Sequence, residues 1–222
     1  KTTTLFALAR SLEGPVILTN SAHLGRSQAA LADYHVIVES PKEVDAVFSS
    51  LKEEVTLITG IERESGRLIG LTHDALNRIY SHAERLNLPV IIEADGSRMR
   101  PLKAPAEHEP PIPEWVDTVV VVCGLSGLGK PLNESAVFRP EIFSQLTGVP
   151  LDHLIPPSAL VTYLLHPQGG LKNIPRHARR IVLFNQWDEC KPEDQTALLT
   201  NLPRLHQVYD AVILGNVVRG GE

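Results

Sequence analysis

The sequence predicts an α/β fold with a mostly parallel sheet and helices on both faces. Apolar runs of strand length alternate along the chain with segments of helical periodicity. These strand-length runs are nearly continuous in apolar residues, which is typical of parallel strands that are covered on both faces. With 222 residues, of which 43% are hydrophobic, the chain is long enough to bury a substantial core.

The first helix is predicted from Leu5, Leu8 and Leu12, which recur at helical spacing before Gly14, a residue that often ends helices. The same periodicity predicts further helices over residues 41–54, 72–87, 140–146, 157–165 and 192–202. Apolar runs predict strands over residues 15–19, 35–38, 55–59, 89–92, 118–123, 181–184 and 209–214. We expect the strand over residues 118–123 to be buried on both faces.

This pattern predicts a single domain over residues 1–222. Within it, residues 124–175 alternate short helical pieces with Gly and Pro, and we interpret this region as a small inserted lobe.

Composition excludes several classes of function. The formal net charge of −5 argues against general nucleic-acid binding, and no apolar run approaches the roughly 20 residues that span a membrane. Cys123 and Cys190 are far apart in the sequence, which disfavours a disulfide scaffold or a structural zinc site. The N-terminal apolar stretch is too short for a signal peptide. We therefore expect a cytoplasmic protein that binds neither membranes nor nucleic acid.

In folds of this class, ligands bind at the carboxyl ends of strands and at the adjoining helix starts. Lys1-Thr2-Thr3, just before the first helix, matches the second half of a phosphate-binding P-loop. There Lys1 would reach the phosphates, the Thr2 hydroxyl would bind Mg²⁺, and Thr3 would lie at the helix start, whose dipole favours anions. The pattern is also that of an ordinary helix start, so it needs support from other motifs.

Residues 124–130 also fit the GxxxxGK pattern, but Pro131 follows in place of the Ser or Thr that binds magnesium. An ordinary glycine-rich turn is the favoured interpretation of this loop.

Two carboxylates follow the predicted strand over residues 89–92. Glu93 and Asp95 stand where nucleotide hydrolases place the acidic residue that holds Mg²⁺. We predict Asp95 as a metal ligand and both residues as catalytic. The alternative is that Asp95-Gly96 is simply a turn.

Asn185 and Asp188, after the strand over residues 181–184, match the ends of the guanine-reading motif N-K-x-D. We predict both as nucleotide ligands. Gln186 replaces the lysine of that motif, which leaves the choice between GTP and ATP open.

Residues 97–109 combine several prolines with cations that include Arg98 and Lys103. An ordinary solvated loop accounts for this composition, but a stiffened loop with cations also suits an anionic ligand. We predict that Arg98 and Lys103 have a catalytic role in neutralising charge during phosphoryl transfer.

Four segments together resemble the YqeC-type accessory proteins of selenium-dependent hydroxylases: KTTTLFALA, VIIEADGSRMRPLKAPAEHEPPIP, VVVVCGLSGLGKPLNESAVFRPEIF and LFNQWD. The resemblance implies a P-loop NTPase-like three-layer sandwich whose first strand and glycine-rich loop would precede Lys1. It also implies that Lys1 is the phosphate-binding lysine and Thr2 the magnesium ligand. The family is associated with selenium cofactor biosynthesis for molybdenum hydroxylases.

The leading functional hypothesis is therefore a magnesium-dependent GTP- or ATP-binding accessory protein, as an NTPase or a nucleotide-dependent activating enzyme. Its partners would be a molybdenum hydroxylase or the proteins that mature its cofactor. A non-catalytic cofactor-binding scaffold or chaperone is an alternative from a different class. An ATP-dependent ligase, which the Lys-Thr-Thr-Thr run also resembles, and a small-molecule kinase are further alternatives.

Overall fold

The computed structural model describes residues 2–52, 54–63 and 66–217. Within these ranges the chain forms two compact units. The N-terminal unit covers the described residues up to Gly96, and the C-terminal unit runs from Ser97 to the end of the described residues.

The N-terminal unit combines a parallel sheet with a small antiparallel one. Its elements, in chain order, are α1 (Thr2–Ser11), β1 (Val16–Asn20), β2 (Leu24–Gly25), α2 (Arg26–Ala29), β3 (Tyr34–Ile37), α3 (Glu43–Ser49), β4 (Val55–Thr59), β5 (Glu62–Arg63), β6 (Arg67–Leu68), α4 (His73–Leu86) and β7 (Val90–Glu93). The parallel sheet has the order β3-β4-β1-β7, and the antiparallel sheet has the order β2-β6-β5.

The core of this unit lies between the first helix and the parallel sheet. Phe6 and Ala9, one turn apart on α1, are buried with Leu18 of β1 and Leu57 of β4. Because helical spacing puts Phe6 and Ala9 on one face, α1 is held against the sheet by apolar burial.

The C-terminal unit contains a second parallel sheet with the order β12-β11-β9. Its elements, in chain order, are β8 (Leu102–Lys103), β9 (Thr118–Gly124), β10 (Val137–Phe138), α5 (Pro140–Thr147), α6 (Pro157–Leu165), β11 (Arg179–Asn185), α7 (Pro192–Thr200), α8 (Leu202–Leu205) and β12 (Ala211–Gly215). Strands β8 and β10 pair in parallel as a separate ribbon. Short 3-10 helices cover Leu125–Gly127 and Trp187–Glu189.

The second core is built around large buried side chains. Phe143 of α5, Leu160 of α6 and Phe184 of β11 are fully buried together. Tyr209 joins them just before β12, and its hydroxyl donates to the carbonyl oxygen of Leu164 at 2.8 Å. Burial also raises the pKa of Tyr209, so the hydroxyl stays protonated as a donor.

The predicted fold class is confirmed: the structure is α/β with mostly parallel sheets, an arrangement compatible with a P-loop-like sandwich. The predicted helix over residues 41–54 was too long, because α3 covers only Glu43–Ser49. The prediction that the strand over residues 118–123 is buried on both faces was wrong, because Thr118 and Val120 of β9 are exposed. The single domain over residues 1–222 and the inserted lobe over residues 124–175 stay predictions.

None of the helices within the described ranges has the length and apolar character that crossing a membrane requires.

The buried Tyr209 hydroxyl predicts a measurable contribution to stability. Tyr209→Phe leaves the Leu164 carbonyl without this donor, and we expect it to lower the free energy of unfolding by about 1–2 kcal/mol. Urea unfolding followed by tryptophan fluorescence is the appropriate measurement, because Trp115 and Trp187 both lie in the C-terminal unit.

Tyr80→Phe is the matched control. It removes a hydroxyl that bonds Glu84 at the surface of α4 in the N-terminal unit, and we expect its effect to stay within about 0.5 kcal/mol. Equal effects of the two substitutions on the fluorescence transition would contradict the proposed contribution of the buried bond.

Candidate functional site

The start of the first helix lies against the carboxyl end of a parallel strand. Helix α1 packs on β7, and the Thr2 hydroxyl donates to the Glu93 carboxylate at 3.0 Å to Oε2 and 3.2 Å to Oε1. Both side chains are buried. The structure thus brings together two predicted site residues that are 91 positions apart. Lys1, the predicted phosphate ligand, lies outside the described residues.

A third side chain, which the sequence analysis did not identify, fixes the Thr2 hydroxyl. Gln28 Nε2 donates to Thr2 Oγ1 at 2.8 Å, while Gln28 Oε1 accepts from the Gly25 backbone N–H at 3.0 Å. Gln28 therefore links the start of α2 to the Thr2–Glu93 pair. Gln28 makes only one half of a capping box, because Gly25 has no side chain to complete it, so the sequence held little signal for this residue.

Asn20, at the end of β1, contributes a buried acceptor at the same sheet edge. It pairs in register with Glu93, so both side chains lie on one face of the sheet. The Asn20 amide nitrogen donates to the carbonyl oxygens of Ala22 and Ile69. Its Oδ1 is completely buried and meets no donor among the described residues.

Other buried hydroxyls in this unit share that property. Within the described part of the chain, three more side-chain oxygens are buried without a hydrogen-bond partner: those of Thr4, Thr19 and Ser21. A buried polar atom without a partner costs about 1–3 kcal/mol. Thr19 and Asn20 are successive residues of β1 and face opposite sides of the sheet, so these oxygens do not form one set, and each is a separate position for a bound water or ligand.

The oxygen donors of this edge suit a hard cation. Mg²⁺ prefers oxygen ligands, and it keeps several waters and substrate phosphates beside one or two carboxylates. Glu93, Thr2 and Asn20 supply such oxygens. No group of three or more His, Cys, Asp or Glu side chains that could hold a metal occurs in the described ranges, so an all-protein metal cage does not fit.

Asp95 and Thr3, which were also predicted as site residues, are neighbours in sequence of Glu93 and Thr2. Asp95 follows two positions after the end of β7, and its side chain is half-buried and makes contacts. Thr3 is half-buried in the first turn of α1. The metal role of Asp95, the catalytic roles of Glu93 and Asp95, and the nucleotide contact of Thr3 stay predictions.

The predicted base-reading residues lie in the C-terminal unit, at the end of β11. Asn185 Oδ1 accepts from the Val217 N–H at 2.8 Å, so this oxygen already has a structural partner. The Asp188 backbone N–H donates to Asn216 Oδ1 at 3.1 Å, and the residue is exposed. An exposed carboxylate remains accessible to a ligand, and the base contacts of Asn185 and Asp188 stay predictions.

Gln186, which replaces the lysine of the N-K-x-D motif, holds two turns together. It adopts a left-handed backbone with φ 66°. Its Oε1 accepts from Ser126 Oγ at 2.9 Å, and its Nε2 donates to Glu189 at 3.2 Å. The departure from the motif therefore has a structural use in this chain.

The glycine-rich loop over residues 124–130 is a packed turn in the structure. Several of its backbone N–H groups donate to carbonyl oxygens, including Gly124 to Pro101 at 3.1 Å and Gly129 to Ile155 at 2.9 Å. A phosphate cradle needs such N–H groups to face a ligand. The geometry favours the ordinary turn that Pro131 indicated.

Arg98 and Lys103 belong to a cluster around one aromatic ring, the Phe138 cluster, which comprises Phe138, Arg98, Lys103, Glu109 and Arg139. The Cζ atoms of Arg98 and Arg139 lie 4.8 and 4.4 Å from the centroid of the Phe138 ring, and Lys103 Nζ lies 5.4 Å from it. Arg98 and Lys103 were predicted from the sequence, but Phe138, the ring that all three cations contact, was not. The catalytic role of Arg98 and Lys103 stays a prediction.

Glu109 is the carboxylate of this cluster. Its Oε2 accepts from Arg139 Nη1 at 2.6 Å and from Lys103 Nζ at 2.8 Å, and Lys103 is almost completely buried. Burial by itself raises the pKa of Glu109, but the hydrogen bonds from Arg139 and Lys103 outweigh it and lower the pKa to about 2. The carboxylate therefore stays ionised at neutral pH.

Comparison with known proteins places this geometry in a family context. A family model described as YqeC protein matches residues 1–141. A protein described as uncharacterized protein YqeC, from Escherichia coli (strain K12), is 32% identical over 231 residues, which cover 98% of this chain and 84% of that protein. No solved structure matches the chain.

The lowered pKa of Glu109 predicts a pH dependence of stability. A carboxylate whose pKa is lower in the folded state stabilises the fold above its unfolded pKa, and that stabilisation is lost on acidification. We expect the free energy of unfolding of the C-terminal unit to fall between about pH 5 and about pH 2.

Glu109→Gln, measured by urea unfolding at a series of pH values, isolates this contribution. We expect the variant to be less stable at pH 7 and to show a weaker pH dependence over that interval. Parallel curves for the variant and the native protein would show that Glu109 is not responsible. Glu107→Gln, at an exposed position of the same loop, is the control.

Proposed function

The chain belongs to the YqeC family, and we propose that it is a magnesium-dependent nucleotide-binding protein. The observation that carries this proposal is the hydrogen bond between the Thr2 hydroxyl and the Glu93 carboxylate, where the start of α1 meets the end of β7. A hydroxyl at a helix start beside a strand-end carboxylate is the pair that holds Mg²⁺ in P-loop nucleotide hydrolases.

The direction of the hydrogen bond between Thr2 and Glu93 leaves room for a cation. Because the Thr2 hydroxyl donates its proton to Glu93, an oxygen lone pair is directed away from that carboxylate. Gln28 donates to the same oxygen and orients it. When bound, Mg²⁺ would neutralise phosphate charge, and Thr2 and Glu93 would hold it with the nucleotide phosphates as further ligands.

Asn20 provides independent support. Its amide nitrogen already has two acceptors, so the orientation of the amide leaves only Oδ1 available. A buried acceptor beside a carboxylate can be satisfied by a cation or by a bound water. It would not be satisfied by an anion alone, which is why we propose a metal–nucleotide complex.

The helix start adds attraction for the phosphates. The N-terminus of α1, which has 10 residues, carries a partial positive charge and backbone N–H groups that no carbonyl within the helix accepts. Helix N-termini bind phosphate for this reason. The metal would thus be held by side-chain oxygens, and the phosphates by the helix start and Lys1.

We further propose that the nucleotide site hydrolyses GTP or ATP and serves the maturation of selenium-dependent molybdenum hydroxylases. The support for the selenium connection is the resemblance of the sequence to accessory proteins of those enzymes. The support for turnover is the presence of two strand-end carboxylates, Glu93 and Asp95, in one sequence segment.

The carboxylate of Glu93 can be tested by direct binding. We expect Glu93→Gln, which keeps the size of the side chain but removes its charge, to weaken binding of the magnesium–nucleotide complex at least about tenfold. Isothermal titration of MgGTP and of MgATP into the full-length native protein, with any residues that precede Lys1 included, measures this effect.

Glu13→Gln removes a carboxylate from an exposed position of the same unit and should leave the affinity unchanged. Binding that needs no Mg²⁺, or that survives Glu93→Gln unchanged, would contradict the proposed metal site. If neither nucleotide binds the native protein, the proposed function fails and the scaffold hypothesis is favoured.

The predicted base contact of Asp188, in the C-terminal unit, is tested separately from the magnesium site. If Asp188 accepts hydrogen bonds from guanine, Asp188→Ala should lower GTP affinity about tenfold, because a hydrogen bond to a charged group contributes roughly 1.5–3 kcal/mol, and should leave ATP affinity unchanged. Glu114→Ala, which removes an exposed carboxylate of the same unit, is the control. A native preference for ATP would overturn the assignment of Asp188.

A further inference from the structure

The Phe138 cluster is a built arrangement of charges that the proposed magnesium site does not use. Strands β8 and β10 pair so that Lys103 lies in register with Phe138. Arg139 follows Phe138 directly, and Glu109 connects Lys103 to Arg139. Two strands and two loops thus converge on one ring.

The loop that carries Glu109 is fastened at several points. The Glu109 carboxylate accepts from the Ala106 N–H at 3.2 Å, and the buried Lys172 donates to the Ala106 carbonyl at 2.6 Å. Asn173 donates to the Pro110 carbonyl at 3.0 Å. These bonds hold Glu109 in place, so Lys103 and Arg139 are positioned in advance of any ligand.

Arg98 differs from the other two cations of the cluster. Its side chain is exposed, and within the described residues its guanidinium contacts the Phe138 ring but donates to no acceptor. A cation–π contact does not use the N–H groups of a guanidinium as hydrogen-bond donors to an oxygen acceptor, so they stay available to a ligand. Glu109 does not satisfy them, because its bonds run to Arg139, Lys103 and Ala106.

The backbone at Arg98 adopts an unfavourable left-handed conformation. Arg98 and Met99 have φ values of 50° and 66°, and Arg139 has a φ of 65°. Residues with side chains rarely adopt this left-handed conformation, which costs about 1 kcal/mol or more each. Two of these residues, Arg98 and Arg139, belong to the cluster and Met99 adjoins it, so the backbone is strained where the two guanidinium groups meet the ring.

We propose that the Phe138 cluster binds the phosphate group of a ligand, with Arg98 as the residue that captures it. The planar fork of a guanidinium matches two phosphate oxygens, and the nearby Arg139 and Lys103 raise the positive potential at the site. Glu109 orients Arg139 and Lys103 and does not contact the ligand. The site shares no residue with the proposed magnesium site.

Titration with inorganic phosphate, without Mg²⁺ or nucleotide, tests this proposal on the full-length protein. We expect saturable binding, measured by NMR chemical shifts of the arginine Nε–H groups, with Arg98 among those that move. Arg98→Gln should weaken phosphate binding at least about fivefold, and Arg98→Lys, which keeps the charge but loses the fork, should restore it only in part.

Arg179→Gln is the matched control, because it removes one exposed positive charge from the same unit and should not change phosphate affinity. The absence of saturable binding, or equal losses in Arg98→Gln and Arg179→Gln, would overturn the proposal. Circular dichroism of each variant confirms that the fold is retained.

Phosphate binding by Glu93→Gln distinguishes a failure of this proposal from a failure of the proposed nucleotide site. Glu93→Gln should retain phosphate binding, because Glu93 belongs to the other unit and to the other site. If phosphate binding is lost in Glu93→Gln and kept in Arg98→Gln, phosphate binds at the nucleotide site and the Phe138 cluster is not an anion site. If MgGTP and MgATP do not bind but phosphate does, only the proposed function fails.

Discussion

The fixed parallel register between β1 and β7 is the constraint on which the candidate magnesium site depends. It pairs Asn20 with Glu93, and the Glu93 carbonyl then accepts from the N–H groups of Ser21 and Ala22 just beyond the strand. A slip of one residue would turn Glu93 to the other face of the sheet and separate it from Thr2. The apolar residues of the two strands therefore position oxygens that they never contact.

Much of the fold could be predicted from the sequence, because its main elements are long and strongly patterned. Strand β4 and helix α6 coincide with predicted segments, since a continuous apolar run and a clear periodicity leave little choice. The two-residue strands β8 and β10 could not be predicted. Strands this short have no period of their own, and they exist because the tertiary structure brings residues 102–103 and 137–138 together.

The candidate site was predictable only in part. Thr2 and Glu93 were identified because chemistry requires those residue types at a helix start and at a strand end. Gln28 was not identified and Asn20 was given no role, because nothing in an isolated amide shows that it will be oriented by groups from distant segments. Sequence patterns predict the groups that perform chemistry more readily than the groups that orient them.

The candidate ligand-binding groups of the two units differ in their burial. In the N-terminal unit, Asn20 Oδ1 is a buried acceptor without a donor among the described residues; in the C-terminal unit, the Arg98 side chain is exposed, and its guanidinium contacts the Phe138 ring and is open to water. A buried acceptor of this kind costs stability in the free protein, and a ligand that satisfies it stabilises the folded state by mass action. An apolar residue in place of Asn20 would remove the unpaired Oδ1, but it would also leave the carbonyl oxygens of Ala22 and Ile69 without the donor that the Asn20 amide gives them. The same argument holds for the strained backbone at Arg98, where glycine would relieve the strain but would remove the guanidinium.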